Sequence, residues 1–256
     1  TDDVYSVAYS PDGESIISGG EDKTVILWDA KTGDLLKRFE GHSKKIGSVR
    51  FSPDGKYALS ADRIYHDIIL WDVAKQKEKF RVSHEYIRDV QFDVDGQNFW
   101  SVGRSGIKQW SFKDGALISD FAWDGNNTKA FQMMPDGKRM LVGSFKSTQL
   151  ISTIDGAAIR AFEGQINTIS EIFIKEDGEE AVIFCGSTNS VQRYNLKTGA
   201  LIGAIKIYHD ESVRSTALSP MTNNDPNGGK YFASGSMGKR IKIWETKTGR
   251  LFHTLE

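Results

Sequence analysis

Ser10-Pro11-Asp12-Gly13 returns as Ser52-Pro53-Asp54-Gly55, and partial copies follow at Val94-Asp95-Gly96, Pro135-Asp136-Gly137, Glu176-Asp177-Gly178 and Ser219-Pro220. The proline, or the residue in its place, stands at positions 11, 53, 94, 135, 176 and 220, so successive copies lie 42, 41, 41, 41 and 44 residues apart. Proline fixes φ and glycine permits positive φ, so each copy predicts a tight turn between two strands. The constant spacing predicts a protein of six repeats.

A second marker follows each of these turns except the fourth. It reads Trp28-Asp29, Trp71-Asp72, Trp110-Ser111, Tyr194-Asn195 and Trp244-Glu245, while Ile151 stands in the fourth copy. Short apolar runs with alternating character, such as 4–9, 15–18, 24–28 and 35–39, lie between the turns and are typical of strands. Each repeat is therefore predicted to be four antiparallel strands.

These residues resemble the WD-repeat family over essentially the whole chain. The resemblance rests on the Pro-Asp-Gly turns, on Gly41-His42, on residues 18–22 and on Trp28-Asp29. It implies an all-β fold, a β-propeller of four-stranded antiparallel blades in one domain, with repeats at about 1–42, 43–83, 84–124, 125–165, 166–209 and 210–256. Six blades are expected, or seven if flanking sequence supplies another, and the regular turns also suggest a bacterial member.

The family resemblance further implies a structural hydrogen-bond set of Trp, Ser, Asp and His. It maps onto Ser18, Asp22 and Trp28 in the first repeat, onto His42, Ser60 and Trp71 in the second, and onto His209, Ser234 and Trp244 in the sixth. In the second repeat the Asp position falls in an expanded turn at 62–67, and the sixth has Gly238 there. No copy is expected to complete the set.

The charge, the apolar runs and the cysteine count indicate which classes of partner and which compartment to expect. Lys and Arg number 33 against 34 Asp and Glu, which gives a formal charge of −1 and no broad basic field, so no nucleic-acid partner is expected. No apolar run has the length of a membrane span, so no membrane partner is expected. Cys185 is the one cysteine, which suits a reducing compartment, and a cytoplasmic protein is expected.

The sequence shows no recognised catalytic, cofactor-binding or metal-binding motif, so no catalytic, cofactor or metal residues are assigned. The histidines fall on different repeats, and Gly-x-Ser-x-Gly and phosphate-loop patterns do not occur. The run Asn223–Gly229 resembles the start of a calcium loop but lacks its first Asp and distal Glu, so a solvated turn is preferred. The alternative function is a propeller enzyme with a metal in the central channel, for which Asp89 and Glu171 are the candidate ligands.

The leading hypothesis is a non-catalytic scaffold or sensor module that binds a protein or peptide on the loop face of the ring, with other domains of a longer chain as further partners. Tyr and Arg are enriched at the energetic centres of interfaces. The candidate partner-binding residues are Tyr65, His66, Tyr86, Arg88, Arg104, Lys129, Phe145 and Arg214.

Overall fold

A computed structural model of the chain describes residues 3–63, 66–123, 128–144, 147–162, 169–175, 177–186, 188–209, 211, 213–219, 229–238 and 240–255, with the side chain of Arg214 left out. Strands and turns make up these residues, and none of them lies in a helix. In this described part of the chain, no helix is long and apolar enough to cross a membrane. The chain divides into two compact units, Thr1–Thr128 and Lys129–Glu256.

The first unit contains three four-stranded blades. Blade 1 consists of β1 (Val4–Tyr9), β2 (Ser15–Gly20), β3 (Val25–Asp29) and β4 (Leu35–Phe39). Blade 2 consists of β5 (Ile46–Phe51), β6 (Tyr57–Asp62), β7 (Asp67–Asp72) and β8 (Lys77–Ser83). Blade 3 consists of β9 (Asp89–Phe92), β10 (Asn98–Gly103), β11 (Gly106–Ser111) and β12 (Leu117–Phe121).

The second unit contains the other three blades. Blade 4 consists of β13 (Ala130–Met133), β14 (Arg139–Gly143), β15 (Thr148–Ser152) and β16 (Ala158–Phe162). Blade 5 consists of β17 (Ile169–Ile174), β18 (Glu180–Cys185), β19 (Ser190–Asn195) and β20 (Leu201–Lys206). Blade 6 consists of β21 (Val213–Leu218), β22 (Tyr231–Ser236), β23 (Ile241–Glu245) and β24 (Leu251–Leu255).

Strands within each blade pair in chain order, and every pairing is antiparallel, which confirms the predicted fold class of six four-stranded blades. The Ser-Pro-Asp-Gly stretch closes the first hairpin of blades 1 and 2. In blade 1, Gly13 has φ +74° and its N–H donates to the carbonyl oxygen of Ser10 at 2.9 Å, while Asp12 accepts from the amide of Glu14 at 3.0 Å. The repeat marker is therefore a turn whose backbone polar groups are satisfied locally.

The Asp of the Trp-Asp marker closes the outer hairpin. Asp29 Oδ1 accepts from the amides of Lys31 and Thr32 at 2.9 and 2.8 Å, and these hydrogen bonds hold the pKa of Asp29 below its usual value. In blade 5, Asn195 Oδ1 accepts from the equivalent pair of amides, those of Lys197 and Thr198. An oxygen at this position is thus required by the turn that leads to the outermost strand.

The hydrophobic core consists of clusters between consecutive blades rather than one central mass. Ile46 and Val49 of β5 pack against Ile17, Val25 and Leu27 of blade 1. Within each unit, the described clusters pair blade 1 with 2, blade 2 with 3, blade 4 with 5 and blade 5 with 6. One face of a blade's inner strand is therefore built to cover the preceding blade.

Gly106, at the start of β11, should tolerate no side chain. Its φ is +125°, and a Cβ there would lie 2.3 Å from the carbonyl oxygen of Phe121. Gly106→Ala is expected to lower the free energy of unfolding by about 2–3 kcal/mol, from left-handed strain together with a clash against backbone.

Gly137 provides the matched control, because its φ is +65° and a Cβ there would meet no atom within 4 Å. Gly137→Ala should cost only the conformational strain, about 1 kcal/mol. Equal losses for the two variants in urea unfolding would contradict the close approach at Gly106.

Candidate protein-binding face

The Trp, Ser and His set holds the connections at one edge of a blade. In blade 2, Trp71 Nε1 donates to Ser60 Oγ at 2.7 Å, and His42 Nε2 lies 2.6 Å from the same oxygen. All three side chains are buried. The serine thus links the third strand of the blade to the connection that enters it.

Blade 6 has the same arrangement, with Trp244 Nε1 and His209 Nε2 at 2.7 and 2.6 Å from Ser234 Oγ. In blade 1, Trp28 Nε1 donates to Ser18 Oγ at 2.8 Å, and Asp22 accepts from the amide of Thr24 at 3.1 Å.

Blade 3 carries a set that the sequence reasoning missed. Trp110 Nε1 donates to Ser101 Oγ at 2.8 Å, and His84 uses Nδ1, at 2.7 Å, instead of Nε2. The signal was available, because Ser101 follows His84 by 17 residues and Ser60 follows His42 by 18.

Two of the buried imidazoles keep one nitrogen without a partner. Among the described residues, His42 Nδ1 and His84 Nε2 have no hydrogen-bond partner. Burial, aided by Arg81 beside His42 and Lys108 beside His84, lowers the pKa of each imidazole to about 4. Both histidines are therefore neutral at physiological pH and structural rather than catalytic in character.

Blades 4 and 5 replace the polar set as a unit. Ile151 and Tyr194 occupy the Trp position and are fully buried, and the Ser position holds Val142 and Ile183, which are also buried. The indole N–H donor and the serine hydroxyl acceptor are therefore both absent from these blades, and neither is left without its partner in the core. Blade 4 thus exchanges the hydrogen bond for apolar packing, whereas in blade 5 the hydroxyl of Tyr194 donates to Gln192 Oε1 at 2.9 Å.

The turn between β6 and β7 is the expanded turn predicted at 62–67. The amide of Arg63 donates to the carbonyl oxygen of Lys45 at 2.7 Å, and the carbonyl oxygen of His66 accepts from the amide of His84 at 2.8 Å. The first end of the turn is thus fixed to the entry of blade 2 and the second to the entry of blade 3. Ile64 and Tyr65, between these ends, lie outside the described residues.

His66, Tyr86 and Arg104 form what we call the Tyr86 cluster. The His66 and Tyr86 rings meet edge to face with centroids 5.8 Å apart, and Arg104 Cζ lies 5.5 Å from the Tyr86 centroid. Tyr86 has a positive φ of 49°, and its side chain is 43% exposed. A non-glycine residue held in the left-handed region beside an exposed cation is typical of a functional surface.

Tyr5, Glu21, Lys45 and Arg63 form a neighbouring group, which we call the Tyr5 cluster. Tyr5 donates its hydroxyl to the Glu21 carboxylate, Lys45 pairs with the same carboxylate, and Arg63 Cζ lies 4.2 Å above the Tyr5 ring. The hydrogen bonds from Lys45 and Tyr5 lower the pKa of Glu21. Arg63 of this cluster and His66 of the Tyr86 cluster are three residues apart in the chain, so the two clusters are neighbours on the first unit.

The other five partner-binding candidates from the sequence are not part of the Tyr86 cluster as described. Arg88 is exposed, and its amide donates to the carbonyl oxygen of Val102; Lys129 makes the equivalent bond to Gly143 in the second unit. Tyr65 and Phe145 lie outside the described residues, and Arg214 lies in β21 with its side chain outside them. Of the eight candidates, the structure brings His66, Tyr86 and Arg104 together.

The candidate channel carboxylates both bind their neighbouring blades. Asp89 accepts from Ser48 Oγ at 2.8 Å and from Arg50 Nη2 at 3.2 Å, and Glu171 accepts from the amide of Thr216 at 3.1 Å. Among the described residues, no group of three or more His, Cys, Asp or Glu side chains is arranged to hold a metal ion. Cys185 is buried, which raises the pKa of its thiol. The calcium-like run at 223–228 lies outside the described residues.

Comparison with known families agrees with the repeat pattern. The family model described as WD domain, G-beta repeat matches residues 1–29, 33–72 and 205–245. The β-propeller domain of Myceliophteria thermophila Cps50 (Swd1) superposes with a TM-score of 0.83 at 19% identity and covers 99% of this chain and 86% of its own. The WD40 repeat family and the six-bladed β-propeller fold are thus supported.

The curated relatives named below are eukaryotic. Pre-mRNA-processing factor 17 of Saccharomyces cerevisiae is 25% identical over 95% of this chain and 54% of its own length. Nuclear distribution protein PAC1 of Arthroderma benhamiae is 22% identical over 96% of this chain and 50% of its own length. Transcription initiation factor TFIID subunit 5 of Caenorhabditis elegans is 37% identical over 57% of this chain and 23% of its own length. The chain spans about half the length of the first two.

Two expectations are corrected by these relatives. The bacterial origin is not supported, because regular turns reflect the geometry of the hairpin and not the source of the protein. The cytoplasmic location is contradicted, because the relatives named for pre-mRNA processing and transcription initiation are nuclear. A single reduced cysteine cannot separate these compartments, since both disfavour disulfides.

Proposed function

We propose that this chain is a non-catalytic scaffold module that binds a protein or peptide across the Tyr86 cluster and the adjoining Tyr5 cluster. The observation that carries the proposal is the exposed Tyr86 ring, held at positive φ between His66 and Arg104. Curated WD40 relatives in splicing and transcription assemblies support an interaction role of this kind. That the partner is a protein and not a nucleic acid stays a prediction.

The chemistry of the clusters favours a protein partner. Tyr and Arg lose little conformational freedom relative to the area that they bury, and they are enriched among residues that dominate binding energy. Backbone hydrogen bonds hold Arg63 to the entry of blade 2 and His66 to the entry of blade 3, so these two residues should need little ordering when a partner docks. A rigid, aromatic and partly cationic surface of this kind suits a peptide that offers apolar and acidic side chains.

The test is the double substitution Tyr86→Ala with Arg104→Ala. Proteins that bind the wild-type chain should be identified by affinity purification and mass spectrometry, and the dissociation constant of the main partner should then be measured for each variant. We expect a loss of at least about 30-fold, because two hot-spot side chains are removed together.

The second unit offers a matched control in Tyr208 and Lys206, since Lys206 Nζ lies 5.8 Å from the Tyr208 centroid. Tyr208→Ala with Lys206→Ala removes the same kinds of group from another exposed position and should leave the affinity unchanged. A control variant that loses as much affinity as the test variant would refute the assignment to the Tyr86 cluster.

A further inference from the structure

The outer strand of each blade carries a bulge in its pairing with the third strand. In blade 2 the bulged residue is Lys79, because Glu78 and Phe80 on either side of it pair with consecutive residues of β7. In the other five blades the bulged residue is apolar and between 47% and 58% exposed; these residues are Leu36, Ile118, Ile159, Ile202 and Phe252. Blade 2 therefore has a cation where the other blades expose an apolar side chain.

The ammonium group of Lys79 lies among aromatic rings of blades 2 and 3. Its Nζ is 3.8 Å from the ring centroid of Phe112 and 5.2 and 5.6 Å from those of Tyr57 and Phe80. Tyr57 and Phe112 meet edge to face with their centroids 4.8 Å apart. A cation within about 6 Å of a ring centroid is attracted to the ring. Tyr57 and Phe80 belong to blade 2 and Phe112 follows β11 of blade 3, so the cation bridges the two blades.

The same ammonium group donates a hydrogen bond to the main chain of blade 3. Lys79 Nζ lies 2.7 Å from the carbonyl oxygen of Phe112. Val73 stands at the position of Phe112 in blade 2, and its carbonyl oxygen accepts from Lys37 of blade 1 at 2.8 Å. In the part of the chain that the structure describes, Lys37 makes no cation–π contact. The aromatic rings therefore distinguish Lys79 from a lysine that only binds a carbonyl.

Lys79 remains accessible to reagents despite these contacts. Its side chain is exposed, and no carboxylate of the described residues forms an ion pair with it. Burial of the ammonium group against its neighbours lowers the pKa of Lys79, and the carboxylates of Asp72 and Asp114 offset only part of this effect. A larger fraction of the amine is therefore neutral and nucleophilic than in an ordinary lysine.

We propose that Lys79 is a site of lysine acylation, and that acylation releases the outer edge of blade 2 from blade 3. The neutral amine attacks the carbonyl carbon of an acyl thioester, the C–S bond breaks, its electron pair leaves with the thiolate, and the amine proton passes to solvent. The product amide is uncharged, so it loses the attraction to the rings and the charge-assisted hydrogen bond to Phe112. Methylation would keep the charge and leave the cation among the rings.

The first measurement is the rate of acylation. Residues 1–256 are incubated at pH 8 with acetyl-coenzyme A, and the acetylated fraction of each lysine is followed by peptide mass spectrometry. Lys79 should react at least about threefold faster than Lys77, an exposed lysine on the same strand. Phe112→Leu removes the ring and introduces the residue that blade 5 has at this position, Leu196, so it should reduce the difference between the two rates.

The second measurement is the coupling between the two blades. Nε-acetyllysine is incorporated at position 79, 77 or 37, and amide hydrogen exchange is measured for each protein. Acetylation at position 79 should raise the exchange rate of residues 110–116 at least about fivefold, because it removes contacts that hold this segment, and acetylation at position 77 should not change it. Acetylation at position 37 removes a hydrogen bond but no ring contact, so it should change the exchange of residues 71–77 by a smaller factor.

Each measurement can overturn the proposal. A Lys79 that reacts no faster than Lys77 would show that the contacts protect the amine instead of leaving it reactive. Unchanged exchange of residues 110–116 on acetylation at position 79 would show that the charge does not hold the blades together there. An equal increase on acetylation at position 77 would assign the effect to the loss of any nearby charge and not to the rings.

Discussion

Lowering the pH from 7 to 4 should destabilise this protein by about 6 kcal/mol through two histidines alone, because the pKa of His42 and that of His84 fall from 6.5 to about 4 on folding. Each buried imidazole would contribute about half of this loss. The cause is burial, with a nearby cation adding to it in each case.

The direction of the effect follows from the protons bound in each state. Between pH 6.5 and 4 the unfolded chain protonates both histidines while the folded chain keeps them neutral, so protons favour unfolding. Stability from this source is fully present above pH 6.5, decreases as the pH falls through that window, and changes no further below pH 4.

Urea unfolding at several pH values between 7.5 and 4 measures this dependence. His42→Gln with His84→Gln should be less stable at pH 7 but should show a slope lower by up to two protons. His253→Gln, which removes an exposed imidazole, is the control. If the double variant kept the slope of the wild type, the two imidazoles could not be neutral through their burial.

Trp71→Ala should lower the free energy of unfolding by about 3–5 kcal/mol, the largest loss that we expect from one substitution. The indole is fully enclosed, its ring centroid lies 5.5 Å from that of Phe39, and its N–H donates to Ser60. Removing it opens a cavity in the core between blades 1 and 2.

Trp71→Phe separates much of the two contributions, because it keeps a packed six-membered ring while it removes the N–H donor and a smaller share of the buried indole. Ser60 retains His42 as a hydrogen-bond partner, so a loss of about 1–2 kcal/mol is expected. Equal losses for the Ala and Phe variants in urea unfolding would show that the hydrogen bond, and not burial of the ring, dominates at this position.

The sequence predicted the six blades because their markers are local. Gly13 and Asp12 act within the turn of the first hairpin, and Asp29 closes the outer hairpin, so their spacing alone locates these hairpins. The shared Ser, His and Trp positions of blades 2 and 6 could be mapped for the same reason. His84 and Ser101 repeat the spacing of His42 and Ser60 to within one residue, so the set of blade 3 could have been mapped in the same way.

The candidate surface was predicted only in part, because its contacts join different blades. Tyr86 and Arg104 belong to blade 3 and its entry, while His66 comes from the turn of blade 2. The Glu21 carboxylate that binds both Tyr5 and Lys45 gives no signal in the sequence, since it depends on the packing of one blade against the next. Contacts between residues of different blades can be identified only from the three-dimensional structure.

Site-specific photo-crosslinking tests the central claim, that a protein partner docks on the Tyr86 cluster, most directly. A photoreactive residue at Ser105, which is exposed beside Arg104, is compared with one at Lys247, which is exposed on blade 6. The account predicts that the partner crosslinks to position 105 and not to position 247, and that Tyr86→Ala abolishes the crosslink. Crosslinks of equal yield from both positions, or from position 247 alone, would contradict it.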